Sequence, residues 1–219
     1  MKSKHIPRAT IQRLAVYLQV LEALNDEEIE VVSSEALARA CDVNPSQIRK
    51  DLAYFGEFGV RGVGYYVGKL IQSIKVSLGT DRIWRTALIG VGNLGRSLLR
   101  YKGFPKRGFQ IVAAFDCDPF KIGETIAGLE VMCPRRMKEN VKDMRIEIGI
   151  ITTPTDRAQR AANYLVESNI HCILNFSAAR IHVPDYVFVE YVDFFHHLYA
   201  LTFKLNTSAV QRFEAFSKN

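Results

Sequence analysis

The 219-residue sequence predicts an α/β protein: an N-terminal winged helix-turn-helix, a Rossmann-like parallel sheet covered on both faces, and a C-terminal helix. Three observations carry that class. Two short helical segments flank a turn and are followed by a glycine-rich hairpin pattern. Gly90-Val91-Gly92-Asn93-Leu94-Gly95 joins an apolar run to a helical one. From there to residue 192, strand-like and helix-like segments alternate. The predicted domains are 1–80, 81–192 and 193–219, with Gly79-Thr80-Asp81 at the first junction.

Taken in order, the first helix follows Pro7, with Ile11, Leu14, Leu18 and Leu21 recurring at three- and four-residue spacing as its inward face. Asn25 to Glu30 reads as a loop, and Ile29 to Val32 as a short extended piece. Ser33-Ser34 caps a second helix with Leu37 and Cys41 facing inward, and Asp42-Val43 breaks it. Asn44-Pro45-Ser46-Gln47 opens a third. Asn44 suits the N-cap and Pro45 the first helical position, while Gln47 can reach back as in a capping box. Ile48, Leu52 and Phe55 form its inward stripe, which leaves Ser46, Gln47, Arg49, Lys50 and Tyr54 outward, suited to phosphates and base edges of a major groove. Gly56 to Val67 alternates glycine with aromatic and β-branched residues, as in a hairpin wing. Arg61, Gly62 and Gly64 lie at its tip, where a guanidinium can enter a minor groove. Lys69 to Leu78 continues as a helix.

The second part starts with a strand at Ile83 to Ile89. Gly90 permits the tight turn, Gly92 lets backbone approach a pyrophosphate, and Gly95 lets the helix pack on the strand. The helix N-terminus then faces the phosphates. A second strand, Phe109 to Phe115, ends in Asp116, about twenty residues past the last glycine, where a carboxylate takes a ribose 2′-hydroxyl. An anion there repels the additional phosphate of NADP, so the expected ligand is NAD⁺ or NADH. Ile146 to Ile151 is a buried strand, followed by Thr153-Pro154-Thr155-Asp156 and a helix to Ser168. Ile170 to Leu174 leads into Asn175-Phe176, and Val187 to Val192 is the last strand. Ligands of such sheets bind at the carboxyl ends of the strands, so Gly90 to Gly95, Asp116, Thr153-Pro154 and Asn175-Phe176 are expected to converge on one crevice. From Asp193 a long helix carries Phe194, Phe195, Leu198, Leu201, Phe203, Leu205, Val210, Phe213 and Phe216. It must be buried, on its own domain or on a second subunit.

Composition sets bounds on these readings. With 48% apolar and 24% charged residues, the chain can build a packed core. A net charge of +6 tilts mildly towards an acidic partner such as nucleic acid. No apolar run has the length of a signal sequence or a membrane span, so a cytoplasmic location is expected. Cys41, Cys117, Cys133 and Cys172 are scattered, which fits reduced, buried thiols better than disulfides or a metal site.

Arg49-Lys50-Asp51-Leu52-Ala53-Tyr54-Phe55-Gly56 with Phe58-Gly59-Val60-Arg61-Gly62-Val63-Gly64-Tyr65 resembles the DNA-binding signature of the Rex family of redox-sensing transcriptional repressors. Gly90 to Gly95, Phe115-Asp116-Cys117-Asp118-Pro119, Leu174-Asn175-Phe176 and Val192-Asp193-Phe194 are similar to the family's later motifs, so the resemblance spans nearly the whole chain. It implies a bacterial homodimer on inverted-repeat operators, bound to DNA with NAD⁺ and released by NADH. It also implies a C-terminal helix exchanged between subunits, with Phe194 reaching the partner's nicotinamide pocket. Two positions depart from the pattern. The family's helix-one arginine aligns with Gln19, although its companions Asp193 and Tyr101 are present, and Ser177-Ala178-Ala179 replaces the usual Ala-Pro.

The leading expectation is therefore a DNA-binding repressor that reads the NADH/NAD⁺ ratio, without catalytic residues. An alternative is an NAD-dependent oxidoreductase with a winged helix for dimerisation. It would need an acid or base beside the nicotinamide; His196 or His197 could serve, but no His–Asp or Tyr-x-x-x-Lys constellation is apparent. A third reading, a DNA-binding protein that senses a coenzyme A ester, is disfavoured by Asp116.

Overall fold

The computed structural model describes residues 6–216, with side chains up to Thr207. It divides into two compact units, residues 1–83 and 84–219.

The first unit contains α1 (Arg8–Asp26), β1 (Val31–Val32), α2 (Ser34–Ala40), α3 (Pro45–Leu52), β2 (Tyr65–Tyr66) and α4 (Val67–Leu78). Leu14, Tyr17 and Leu21 of α1, Leu37 of α2, Ile48 and Leu52 of α3, and Leu70 and Ile74 of α4 share one core. The inward face of α1 is rotated from the expected one. Thr10, Leu14, Tyr17 and Leu21 are buried, while Ile11 is 45% exposed. A polar residue and a tyrosine occupy buried positions because they serve a carboxylate on α3. Asp42, in left-handed backbone at φ 53°, makes the break between α2 and α3.

The wing is smaller than the expected hairpin. A single antiparallel bridge, Val60 to Gly64, closes a turn over residues 61–63. Tyr65-Tyr66 then pairs with Val31-Val32 and not with the Gly56 side of the wing. Gly64 explains the tight base: its φ is +115°, and a Cβ there would lie 2.4 Å from the Val32 carbonyl oxygen.

The second unit contains β3 (Trp84–Ile89), α5 (Asn93–Arg100), α6 (Gly103–Lys106), β4 (Phe109–Phe115), β5 (Thr125–Ile126), β6 (Leu129–Met132), α7 (Met137–Asp143), β7 (Ile148–Ile151), α8 (Ala158–Glu167), β8 (Cys172–Asn175), β9 (Phe188–Tyr191) and α9 (Phe195–Phe216). Seven strands form one sheet in the order β5-β6-β4-β3-β7-β8-β9, all parallel except the β5 edge. The chain winds outward from β3 through β4 to β6, then restarts at β7 on the other side. This places a topological switch point between β3 and β7, where doubly wound sheets bind ligands.

Successive residues of the buried strands face opposite layers. Ala87 and Ile89 belong to the core that includes Met137 and Val141 of α7 and Leu165 of α8. Leu88 and Ala114 belong to the one with Leu98, Leu99 and Phe104 of α5 and α6. Ile83, expected as strand, is 58% exposed and precedes β3.

The buried cysteines expected from composition are not found. Cys117 and Cys172 are exposed and Cys41 and Cys133 half-buried, all four as free thiols. Burial pushes the Cys41 thiol up to about 11. The apolar side of α9 is also open to solvent in the single chain, with Leu201 57%, Phe203 72% and Leu205 71% exposed. Of its expected apolar residues, the side chains of Val210, Phe213 and Phe216 lie outside the described residues.

Candidate functional site

The strand ends of the second unit reach one level. Ile89 pairs with Phe115 and Ile151, and Ile151 with Asn175. Backbone hydrogen bonds carry the pairing one step further: Gly90 N to Phe115 O (2.8 Å), Thr152 N to Ile89 O (2.9 Å), Phe176 N to Ile151 O (2.9 Å) and Val192 N to Asn175 O (2.9 Å). The glycine turn, Asp116, Thr153-Pro154, Asn175-Phe176 and Asp193-Phe194 therefore all lie along the carboxyl edge of the sheet.

Each glycine answers to a measurable constraint. Gly90 has φ +103°, and a Cβ there would lie 2.7 Å from Thr152 C and Thr153 N. A Cβ on Gly95 would stand 2.1 Å from the Gly90 carbonyl oxygen, so α5 could not sit on the turn. At Gly92, the N-cap of α5, nothing lies within 4 Å of a Cβ, and a ligand can approach the backbone there. No acidic residue occupies the first turn of α5, so its dipole and amide groups favour an anion at that end. Asn93 and Leu94 open that helix, exposed.

Asp116 is 6% exposed and is held by several hydrogen bonds. Its Oδ2 accepts from Val91 N at 2.7 Å and from Lys121 Nζ at 3.1 Å, and its Oδ1 accepts from Asp118 N at 2.9 Å. Burial pushes this carboxyl up, but the two amides and Lys121 outweigh burial and hold it below the usual range. Val91, expected within the nucleotide-binding turn, also helps to hold that turn in place. Its side chain is fully buried and its amide tethers the turn to Asp116.

Thr152, which the sequence did not single out, donates its hydroxyl to Gly90 O at 2.7 Å and locks the turn from the β7 side. The neighbouring Thr153 Oγ1 is buried without a partner. Asn175 is fully buried, its Oδ1 accepting from Ser177 N at 2.8 Å and its Nδ2 donating to Ala179 O at 3.0 Å. It shapes the loop after β8. Ser177 Oγ accepts from Ala179 N at 3.2 Å, which braces the stretch that lacks the family's proline. Phe176 is half-buried against the α5 layer.

Asp193 and Phe194 lie just beyond β9. Asp193 Oδ1 accepts from Phe195 N at 2.9 Å and Oδ2 lies 3.2 Å from His196 Nδ1, a His–Asp pair absent from the sequence expectation. Both side chains are largely open to solvent. Phe194 is 64% exposed and stacks on Phe195 with ring centroids 4.9 Å apart. Tyr101 lies over Gly103 and its hydroxyl accepts from Arg107 at 3.1 Å.

In the first unit, Asn44 Oδ1 caps α3 by accepting from Gln47 N at 2.9 Å, and Ser46 Oγ donates to the same oxygen at 2.6 Å. Gln47 does not close the expected capping box. Its Nε2 donates to Asp51 Oδ1 at 3.0 Å. Asp51, 1% exposed, is the residue that the inward-stripe reading missed. It accepts from Arg13 Nε (2.6 Å) and Nη2 (2.8 Å), from the Thr10 hydroxyl (3.0 Å) and from the Tyr17 hydroxyl (2.8 Å). Burial alone would push its carboxyl up, yet Arg13, Tyr17, Gln47 and Thr10 together hold it below the usual range. The hydrogen bond to Asp51 in turn raises Arg13, and burial raises Tyr17. One carboxylate thus fixes α3 against α1.

Outward from that pin, Arg49, Lys50 and Tyr54 are exposed; Arg49 makes a 3.3 Å contact to Ser34 Oγ and a 3.8 Å ion pair with Glu35. Arg61 and Gly62 are exposed on the wing turn, and Gln19 is exposed on α1. Residues 1–83 hold 11 Lys and Arg against 10 Asp and Glu, and residues 84–219 hold 18 against 13. The excess positive charge that pointed to nucleic acid therefore lies mostly outside the winged unit. Among the described residues, no group of three His, Cys, Asp or Glu side chains could hold a metal, and no helix is long and apolar enough to cross a membrane.

Residues 5–53 match the family model described as "Putative DNA-binding protein N-terminus", and residues 81–179 match the "CoA binding domain" model. A protein of Solidesulfovibrio magneticus named redox-sensing transcriptional repressor Rex is 66% identical, covering 94% of this chain and 93% of its own length. Two solved structures of RSP share the fold. The complex with β-NAD⁺ and operator DNA has a TM-score of 0.88 at 35% identity, covering 96% of this chain and 97% of the other. The complex with β-NADH has 0.87 at 34%, covering 96% and 99%.

Proposed function

The chain belongs to the Rex family of redox-sensing transcriptional repressors, and we propose that α3 and the wing hold operator DNA while the crevice holds NAD⁺ or NADH. It is a regulator and not an enzyme: it represses when bound to NAD⁺ or free, and NADH releases it. The observation that carries this reading is a glycine turn, Gly90 to Gly95, tied through the Val91 amide to a buried Asp116 at a sheet switch point, in a chain whose other unit presents a pinned recognition helix.

The residues fit the dinucleotide. The open face of Gly92 and the α5 N-terminus suit a pyrophosphate, and Asp116 suits a ribose hydroxyl. Thr153 Oγ1, buried without a partner, leaves a hydrogen bond for a ligand to complete. Coenzyme A and NAD share an ADP unit, which accounts for the match to a CoA-binding model on the same glycine turn.

Ser46, Arg49, Lys50, Tyr54 and the wing residues Arg61, Gly62 and Gly64 would form the DNA face. Gln47 would act through Asp51 and not as a free reader of bases. The functional division is 1–80 for DNA, 81–192 for the nucleotide and 193–219 for association. The protein works in the cytoplasm as a homodimer on an inverted-repeat operator. The exposed apolar side of α9 supports association, because Leu201, Phe203 and Leu205 would otherwise stay in water. Exchange of α9 would bring Phe194 to the partner's nicotinamide. There an apolar ring tolerates neutral NADH better than cationic NAD⁺. Gln19 cannot form the ion pair to Asp193 that the family arginine makes, so Asp193 and Tyr101 would carry the switch without it.

The test selects bound fragments from a random duplex pool, then measures release by each nucleotide. Inverted repeats released by NADH and retained with NAD⁺ are expected. Indifference to both nucleotides would refute the sensor reading. Phe194→Ala, measured alongside, is expected to keep operator affinity and lose most discrimination between the nucleotides.

A further inference from the structure

The loop after β4 ends in an aromatic ring that the fold does not use. Phe120 is 97% exposed, more than any other large apolar side chain described. The loop beneath it is firmly held. Asp118 N donates to Asp116 Oδ1 at 2.9 Å, Phe120 N donates to Asp118 Oδ1 at 3.0 Å, and Lys121 N donates to Asp118 O at 3.0 Å. Lys121 Nζ returns to Asp116, and the Arg96–Glu124 ion pair fastens the far end of the loop to α5. A loop so fixed leaves the ring in solvent, where a molecule from outside can meet it.

We infer that Phe120 is the stacking surface for the adenine of the bound dinucleotide. This rests on the crevice being an NAD(H) site. Asp116 stands where the adenosine ribose is gripped, and the base attached to that ribose must lie beside the segment that continues from Asp116. Four residues on, a rigid loop offers a flat apolar ring. Ile122, 38% exposed, extends the apolar surface. Arg157, ahead of α8, approaches Cys117 of the same loop at 3.9 Å, so the loops after β4 and β7 meet here. A purine presents a π-face of matching size, and base–aromatic stacking tolerates the absence of polar contacts.

Calorimetric titration of the full chain with NADH and with ADP-ribose tests this. Phe120→Ala is expected to weaken both ligands by a common factor of about tenfold, the scale of one base–aromatic stack. Phe120→Trp is expected to retain parental affinity, while Phe120→Leu falls with Ala. The melting temperature of the ligand-free protein should stay at the parental value, because a ring this exposed holds nothing together. Three outcomes overturn the inference: unchanged ADP-ribose affinity in Phe120→Ala, a leucine variant that binds like the parent, or a loss traced by light scattering to altered self-association. A parent that binds neither ligand would overturn the NAD(H) reading itself, and this inference with it.

Discussion

In residues 84–219 the crevice is shaped by what three glycines leave out, whereas in residues 1–83 the recognition helix is held by what one buried carboxylate takes in. Gly90, Gly92 and Gly95 supply space, a left-handed turn and close packing, and their contribution is made in backbone. Asp51 supplies charge, and its contribution depends on four side chains from two helices. A backbone-built site tolerates change around it and none within it. A charge-built pin depends on each partner and on protonation.

The comparison can be tested most severely at Asp51. Asp51→Ala leaves Arg13 without its carboxylate, and urea unfolding is expected to show a loss of about 3 kcal/mol. That is the low end for breaking a buried pair, because Arg13 stays 30% exposed. The same residue gives a pH dependence. Its folded carboxyl lies below its unfolded value of about 3.9, so its stabilisation is complete above that value and is lost as pH falls below it. Acid titration by circular dichroism should show this slope in the parent and lose it in Asp51→Asn. An unaltered slope would mean that Asp51 is not the pin.

Gly95→Ala comes next. The added Cβ would meet the Gly90 carbonyl at 2.1 Å, and about 2–3 kcal/mol of destabilisation is expected, with NADH affinity lost. Operator binding by the winged unit should persist at temperatures where the variant remains folded. Asp116→Ala is expected to act more gently on stability and more clearly on selectivity. It releases Lys121 Nζ from its 3.1 Å pair with Asp116, leaving only the 3.6 Å pair with Asp118 to compete with a 2′-phosphate. NADPH should gain on NADH by about tenfold, roughly one charge-assisted hydrogen bond, in paired fluorescence titrations. The smallest effects belong to Arg49→Ala and Lys50→Ala. Stability should move by less than about 0.5 kcal/mol because both are exposed, while the slope of log affinity against log salt should fall by about one for each phosphate left unneutralised.

Much of this was legible in the sequence because the signals are local. Asn44-Pro45 marked the start of α3, and the spacing from Gly90 to Asp116 marked the first βαβ unit, before any tertiary contact was known. What escaped has physical reasons. The β5–β6 hairpin turns through Ala127 and Gly128, both at positive φ (50° and 83°), and an alanine there gives none of the usual Asn-Gly or Asp-Gly signal. Asp51 sits on the inward stripe of α3 between Ile48 and Leu52, but three of its four partners are 34 to 41 residues away on α1. A charged residue at a core position predicts that a partner exists and not which one. Thr152 escaped because its role is to donate to the carbonyl of Gly90, in a turn 62 residues away in sequence.

The uneven division of charge bears on how such a protein finds one site in a genome. Residues 1–83 carry a net charge of only one, so they project little field beyond the Debye length of about 8 Å in physiological salt. On the proposed reading, their exposed Arg49, Lys50 and Arg61 would meet phosphates only after the surface has touched down. Contacts with random sequence should therefore be brief, and bulk chromosomal DNA should be a weak competitor for the protein. Occupancy of an operator would then follow the fit of the recognition helix to its groove, and a modest metabolic signal that spoils the fit would empty the site quickly.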